Sequence, residues 1–280
     1  MGRKLAVILG AGSSYDCVTG IVTDYDTNYW PPLTKDLFAF RSSFNAILRN
    51  YPRAEALSDQ IRTRVAAGEN LESILRSFEG ERNTFIKRQY YAIPLYLQEL
   101  IGEVSAHYVK AGPTKFDTLV GALERSSYDR ILYLTLNYDL FIETALTRLY
   151  FINFSELRNY LGLNFKWRLI KLHGSVNWGR RMVNAPNMKN SGDIFNYMTD
   201  EPVFDSDVRV LGGWEESSRF IGDFFYYPAI TVPLEGKDEF VCPREHSDHA
   251  EGFLQDCTDF LVIGFSALDG HVLKLLEPVS

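Results

Sequence analysis

The chain has 280 residues and a formal net charge of −7 at pH 7, with 46% hydrophobic and 23% charged residues. This composition is ordinary for a globular protein, and the length suits one large α/β domain. The acidic balance argues against direct nucleic-acid binding, which needs clustered Lys and Arg. The three cysteines form no disulfide framework and no apolar run approaches the roughly 18 residues of a membrane span, so we expect a cytoplasmic protein without a membrane partner.

The first half of the chain is predicted to hold one strand and then a run of helices. The apolar run at 4–9 predicts a buried strand. A helix is expected from Thr34, which suits an N-cap, to about residue 48. Further helices are predicted at about 54–66, 70–79, 84–110 (kinked by Pro94) and 115–126. Because a simple βαβ unit needs about 30 residues, the stretch of approximately 34–127 is interpreted as a helical insertion.

The second half returns to alternating strands and helices. The expected elements are strand 130–135, helix 138–149, strand 168–172, strand 229–232, helix 245–256, strand 260–264 and helix 268–277. Residues 176–227 show no clear period and are interpreted as a small irregular module. The pattern predicts a single domain over 1–280, with an α/β, Rossmann-like, mainly parallel sheet.

Polar motifs follow the predicted strands at the points where the strands end. The first strand leads into Gly10, Ala11, Gly12, Ser13 and Ser14, whose backbone could approach a pyrophosphate while the serine hydroxyls contact phosphate or ribose. The third glycine of a standard dinucleotide fingerprint is replaced by a tyrosine. From the loop alone, nucleotide binding and a plain strand-to-helix turn with a serine cap both stay open.

Two further motifs carry an amide, a carboxylate and an imidazole. Thr135, Asn137 and Asp139 alternate at the end of the second strand, where Asn137 could hold a ribose hydroxyl or a water. Either Asn137 or Asp139 could instead cap the next helix, and Asp139 is the better candidate for that structural role. His173 directly follows the third strand and can accept a proton at neutral pH, or it could be a buried histidine that donates to a carbonyl.

Since open α/β sheets bind ligands beyond the carboxyl ends of their strands, these motifs are expected to meet in one crevice. Gly264 and Ser266 follow the strand at 260–264 and are suited to contact a cofactor from the other side. Asp269 and His271, which come next, are interpreted as helix-cap residues.

Four motifs in this order, GAGSS at 10–14, TLNYD at 135–139, KLHGS at 171–175 and IGFSALD at 263–269, resemble the sirtuin-like family. The chain is more similar to the bacterial NAD-cleaving branch of that family, found in antiphage defence. The resemblance implies an NAD glycohydrolase that releases nicotinamide and ADP-ribose, with NAD as substrate. It implies that Asn137 positions water or ribose and that His173 is the general base. It also implies activation by a partner protein or by homo-oligomeric assembly.

Deacylating sirtuins carry a structural zinc on two Cys-x-x-Cys pairs, and this chain has no cysteine between Cys17 and Cys242. The set Cys242, His246, His249 and Cys257 fits no familiar zinc spacing, so we expect no metal and interpret the segment as a solvated helix with two ordinary histidines. Two alternatives to hydrolysis stay open: an NAD-dependent deacylase or ADP-ribosyltransferase, and a non-catalytic module that senses NAD or ADP-ribose.

Overall fold

A computed structural model describes residues 2–18, 29–185, 202–231, 241–266 and 270–276. They fall into two compact units. The first comprises Met1–Gly20, Ser105–Ser175 and Asp238–Ser280, and the second Ile21–Val104 and Val176–Lys237. None of the helices in the described residues is both long and apolar enough to cross a membrane.

The strands are β1 Lys4–Leu9, β2 Arg130–Thr135, β3 Trp167–Lys171, β4 Gly174–Met182, β5 Phe204–Val210, β6 Phe220–Ile221, β7 Phe224–Ile230 and β8 Asp259–Ile263. The α-helices are α1 Ala11–Tyr15, α2 Ser42–Leu48, α3 Pro52–Ala66, α4 Leu71–Glu79, α5 Thr84–Tyr90, α6 Ile93–Ala111, α7 Lys115–Glu124, α8 Phe141–Tyr150, α9 Arg244–Gln255 and α10 Gly270–Leu276. Short 3₁₀ helices lie at Thr34–Asp36, Leu157–Leu161 and Glu216–Arg219.

The first unit is built on a four-stranded sheet in the order β3-β2-β1-β8, and every pair in it is parallel. Strand β1 is buried from Leu5 to Leu9, as expected for an apolar strand in the middle of a parallel sheet. This confirms the prediction of an α/β fold with a mainly parallel sheet.

The strands of this sheet end in line at one edge. Leu9 lies opposite Thr135 on one side and opposite Ile263 on the other. Thr135 in turn lies opposite Lys171. The register therefore brings the residues that follow all four strands to the same edge.

The second unit contains helices α2 to α5, the first part of α6, and a second sheet in the order β5-β4-β7-β6. The pairs β4/β5 and β6/β7 are antiparallel. The interpretation of 176–227 as irregular is therefore wrong for the residues described there. Six of the nine positions of β4 are buried, two of them among the four of one face. On β5, Asp205 accepts from Arg181 on β4, and Asp207 accepts from the Tyr226 hydroxyl on β7. Neither strand therefore shows a simple apolar alternation.

Two predicted helices are each divided in the structure. The helix expected from Thr34 to 48 is interrupted because Arg41 is extended (φ −117°, ψ 140°) and α2 starts only after it. The helix expected at 84–110 ends as α5 at Tyr90 and resumes as α6. Pro94 lacks the N–H that would bond to the Tyr90 carbonyl in a continuous helix.

Other boundaries moved by a few residues. The strand expected at 229–232 is the end of β7, and residue 232 lies outside the described residues. The helix expected at 268–277 is described only as Gly270–Leu276. The predicted cap Asp269 and the side chain of His271 also lie outside the described residues.

Candidate functional site

The glycine loop after β1 packs backbone to backbone on the end of β8. The Gly10 N–H donates to the Ile263 carbonyl at 3.0 Å, and the Gly12 N–H donates to the Gly264 carbonyl at 3.1 Å. A Cβ at Gly10 or at Gly12 would collide with the Gly264 main chain. Glycine is therefore required at both positions by the close approach of two loops.

Gly264 completes this contact from the other side. Its φ of +63° lies in the left-handed region, and a Cβ there would overlap the main-chain nitrogen of Ser13. The predicted Gly264 thus lies directly against the glycine loop. The predicted Ser266 is exposed, and no hydrogen bond within the described ranges joins it to the loop.

The loop's main-chain donors are largely in use. Gly10 and Gly12 donate to the end of β8, and the Ser13 N–H donates to the Gly10 carbonyl at 2.9 Å. These three N–H groups are not available to a phosphate in this conformation. A phosphate bound at this loop would therefore have to be held by other groups than these three N–H donors.

Asn137 joins the end of β2 to the glycine loop. Its Nδ2 donates to the Gly10 carbonyl at 3.0 Å, to Ser13 Oγ at 3.1 Å and to Ser14 Oγ at 2.7 Å. A carbonyl oxygen only accepts, so the amide nitrogen must face the loop and Oδ1 is turned away from it. Thr135 orients this residue, because its Oγ1 accepts from the Asn137 N–H at 3.0 Å.

Asp139 both holds the loop and starts the next helix. Its Oδ2 accepts from Ser14 Oγ at 2.5 Å, and its Oδ1 accepts from the N–H of Phe141, the first residue of α8, at 3.2 Å. Leu140, and not the predicted Asp139, occupies the N-cap position of α8, and the Asp139 carboxylate bonds to the first N–H of the helix from the position before the cap. Ser13, Ser14, Asn137 and Asp139 are all buried, so they form a connected polar cluster at the sheet edge.

His173 lies at the same edge, in the turn that follows the neighbouring strand β3. It follows Lys171 by two residues, just as Asn137 follows Thr135, and Lys171 and Thr135 are register partners. The His173 ring is half-buried, and its centroid lies 6.5 Å from that of Tyr138, the residue after Asn137. Ser175 Oγ also donates to the Tyr138 carbonyl, at 3.4 Å. The histidine and the amide motif are therefore neighbours.

Lys171 and Glu143 form a buried ion pair beneath this edge. The sequence analysis assigned a role to neither residue. Lys171 Nζ lies 2.8 Å from Glu143 Oε1 and also donates to the Asp139 carbonyl. Burial raises the pKa of the Glu143 carboxyl, and the ammonium of Lys171 acts against that rise. The available signal was a charged residue inside each of two apolar patterns, at the end of β3 and in α8.

The interpretation of Cys242, His246, His249 and Cys257 as lying on a solvated helix is wrong for His246. That residue is 1% exposed, and its Nε2 lies 3.1 Å from the Leu157 carbonyl. Burial lowers the pKa of His246 to about 4 and raises that of the Cys242 thiol to about 12, whereas zinc binding needs a thiolate. In the part of the chain that the structure describes, no group of three or more His, Cys, Asp or Glu side chains is placed to hold a metal ion.

No protein-family model matches this chain, and no curated protein matches it either. The polar cluster offers an amide held in a fixed orientation, a carboxylate and two hydroxyls, and the half-buried imidazole of His173 lies at the same edge.

Proposed function

We propose that this protein is an NAD glycohydrolase of the sirtuin-like type, which hydrolyses the bond between nicotinamide and ribose. The observation that carries the proposal is the meeting of three motifs at one sheet edge. Asn137 is bonded to the glycine loop, and His173 follows the register partner of Thr135. The order and content of the motifs, which resemble those of NAD-cleaving sirtuin-like proteins, support the same reaction.

Hydrolysis of this bond requires one group that positions the nucleophile and another that accepts a proton. The bond from ribose C1′ to the pyridinium nitrogen breaks, its electron pair stays on nicotinamide, and positive charge builds on the ribose. The oxygen of a water molecule forms the new bond to C1′, and the water's proton passes to His173. The products are nicotinamide and ADP-ribose.

The orientation of Asn137 suits the positioning role. Its nitrogen is committed to the loop, and no other hydrogen bond of this side chain is found within the described residues. Its Oδ1 is thus the acceptor that can hold a water or a ribose hydroxyl. Asp139 and Ser14 keep the loop and the amide in place, so they act through Asn137.

The proposal is tested by incubating the chain with NAD and identifying the products by chromatography. We expect nicotinamide and ADP-ribose from the parent, and a loss of about 10²–10⁴-fold in rate for Asn137→Ala and for His173→Ala. His249→Ala is the matched control, because His249 is an exposed histidine on α9. If both site variants cleave NAD as fast as the parent, the assigned roles are wrong.

The assay is run on the chain alone and within any assembly that purifies with it, because activation by a partner or by homo-oligomerisation is part of the proposal. It also separates the alternatives that the sequence leaves open. NAD consumption that depends on an acylated or acceptor substrate identifies a deacylase or ADP-ribosyltransferase. Tight binding of NAD or ADP-ribose without turnover, in the assembled sample, identifies a sensing module.

A further inference from the structure

We propose that the buried pair of Lys171 and Glu143 is a positioning device that fixes the spacing between Asn137 and His173. The inference deepens the proposed function and rests on it for its catalytic consequence. Neither side chain is placed among the groups that touch substrate. Their effect is exerted through the ends of β2 and β3, which carry the two candidate catalytic residues.

One side chain, that of Lys171, spans three elements. Lys171 is the last residue of β3, and its Nζ donates to the Asp139 carbonyl in the loop after β2 and to Glu143 Oε1 on α8. Asp139 lies two residues after Asn137, and Lys171 lies two residues before His173. The ammonium therefore joins the chain just beyond one candidate residue to the chain just before the other.

The pair is fully enclosed. The Lys171 side chain is 0% exposed and that of Glu143 is 6% exposed. The Tyr160 hydroxyl is 3.5 Å from Glu143 Oε1, the oxygen that also accepts from Lys171, whereas Oε2 has no hydrogen-bond partner among the described residues. All the bonds found for this carboxylate thus converge on one oxygen, which orients the ammonium toward the β2–α8 loop.

Stability alone does not account for this arrangement. A buried ion pair can often be replaced by apolar residues of similar volume with neutral or favourable effect on stability. An apolar pair would fill the space but would not hold the Asp139 carbonyl in place. The specific contribution of Lys171 is therefore geometric, and a displacement of about 1 Å at a reacting centre can reduce a rate about a hundredfold.

The test uses the full chain carrying Lys171→Met together with Glu143→Met, because removing both charges avoids leaving one of them unpaired. Folding is checked by circular dichroism and thermal midpoint. The His173 imidazole is followed by NMR, with its resonance assigned by its loss in His173→Gln. We expect the double variant to fold, the His173 resonance to shift and broaden, and kcat for NAD to fall about a hundredfold with KM changed less than about threefold.

Lys166→Met is the matched control. Lys166 immediately precedes β3 at the opposite end of the strand, where its Nζ donates to the Leu123 and Glu124 carbonyls at 3.0 and 2.6 Å. This variant is expected to leave the His173 resonance and kcat unchanged. The single variant Glu143→Gln, which keeps the shape of the carboxylate, provides a second reading of the His173 resonance if the double variant does not fold.

The two proposals fail in different ways. An unchanged His173 resonance in a folded variant overturns the positioning role, whatever the chain does to NAD. A parent that does not cleave NAD in any assembly overturns the proposed function, and the resonance still decides whether the pair sets the position of His173. If kcat of the double variant falls no further than kcat of Lys166→Met, the positioning role is likewise overturned.

Discussion

The sheet edge of the first unit and the helical core of the second unit each bury a cation, and they accommodate its charge differently. Lys171 is paired directly with a carboxylate, that of Glu143. Arg219 is equally buried, yet within the described residues its hydrogen bonds go to neutral acceptors. We therefore assign the charge of Lys171 to the candidate site and the charge of Arg219 to the scaffold.

Arg219 connects the 3₁₀ helix Glu216–Arg219 to α6. Its Nε donates to Gln98 Oε1 at 2.7 Å, and its Nη2 donates to the Leu95 carbonyl and to the Tyr51 hydroxyl, each at 3.0 Å. The Tyr51 hydroxyl donates in turn to the Glu99 carboxylate. Burial raises the pKa of Tyr51, so the phenol keeps its proton. Tyr51 thus bridges the Arg219 guanidinium and the Glu99 carboxylate.

The difference lies in what each cation holds. Arg219 spreads a planar set of donors over several acceptors of one packed core, which suits a structural tie. Lys171 places a compact charge at the end of a strand and joins the segment that follows Asn137 to the segment that precedes His173. We therefore expect substitutions at Arg219 to act on folding, and the paired substitution at Lys171 and Glu143 to act on geometry at the site.

The largest expected effect is that of Arg219→Met. The change leaves Gln98, Tyr51 and the main-chain acceptors buried without their donor, and we expect a loss of about 3–5 kcal/mol in the free energy of unfolding. Chemical denaturation followed by circular dichroism measures it. Arg219→Lys should recover only part of the loss, because an ammonium cannot reproduce the planar fork. A loss below about 1 kcal/mol would contradict the scaffold role.

His246 shows a third way to bury a base, which is to keep it neutral. Burial lowers its pKa to about 4, whereas the unfolded value is about 6.5. As the pH falls from about 7 toward 4, the unfolded state takes up a proton that the folded state does not. The free energy of unfolding should therefore have its full value above about pH 6.5 and should be about 3 kcal/mol lower at pH 4.

The measurement is the free energy of unfolding across this pH range for the parent and for His246→Gln, which can still donate to the Leu157 carbonyl but does not titrate. The variant should show a shallower slope between pH 4 and 7. His249→Gln is the control, because that histidine is exposed. Equal slopes for the parent and His246→Gln would show that His246 is not the titrating group.

Gly264→Ala probes the edge itself. The substitution forces a side chain into a left-handed backbone and against Ser13, so we expect a loss of about 2 kcal/mol. Gly252→Ala is the matched change, because a Cβ at Gly252 in α9 meets nothing, and it should stabilise by up to about 1 kcal/mol. Thermal midpoints of the two variants should move in opposite directions, and a shift in the same direction would mean that the contact between the loops tolerates a Cβ.

How far the sequence predicts the fold depends on the environment of each element. Strands β1 and β2 are predicted to the residue, because a buried parallel strand is an uninterrupted apolar run that ends at a polar motif. The sequence does not predict the second sheet, because the polar residues of β5 bond to side chains on other strands and so leave no apolar pattern. Arg181, for instance, donates to Asp205 at 2.6 Å across the β4/β5 pair.

The same distinction applies to the residues of the candidate site. That Asn137 and the glycine loop would meet follows from strand ends sharing an edge, which is a property of the sheet as a whole. Lys171, Glu143 and Arg219 could not be assigned in this way, since a charged side chain shows its burial and its partner only when distant segments pack. The close packing of Gly10 on Gly264 was likewise hidden, because a glycine motif looks the same whether its neighbour is a ligand or another loop.

The smallest expected effect distinguishes two neighbouring serines. Ser14→Ala removes a hydroxyl that donates to the Asp139 carboxylate at 2.5 Å, whereas the Ser13 hydroxyl donates to the neutral Gly10 carbonyl at 2.7 Å. Both accept from Asn137. We expect losses in unfolding free energy of about 1.5 kcal/mol for Ser14→Ala and about 0.5–1 kcal/mol for Ser13→Ala, since hydrogen bonds to charged groups are stronger. Equal losses would mean that the carboxylate adds nothing and that the edge cluster is held like any neutral core, which would remove the contrast with the site of Arg219.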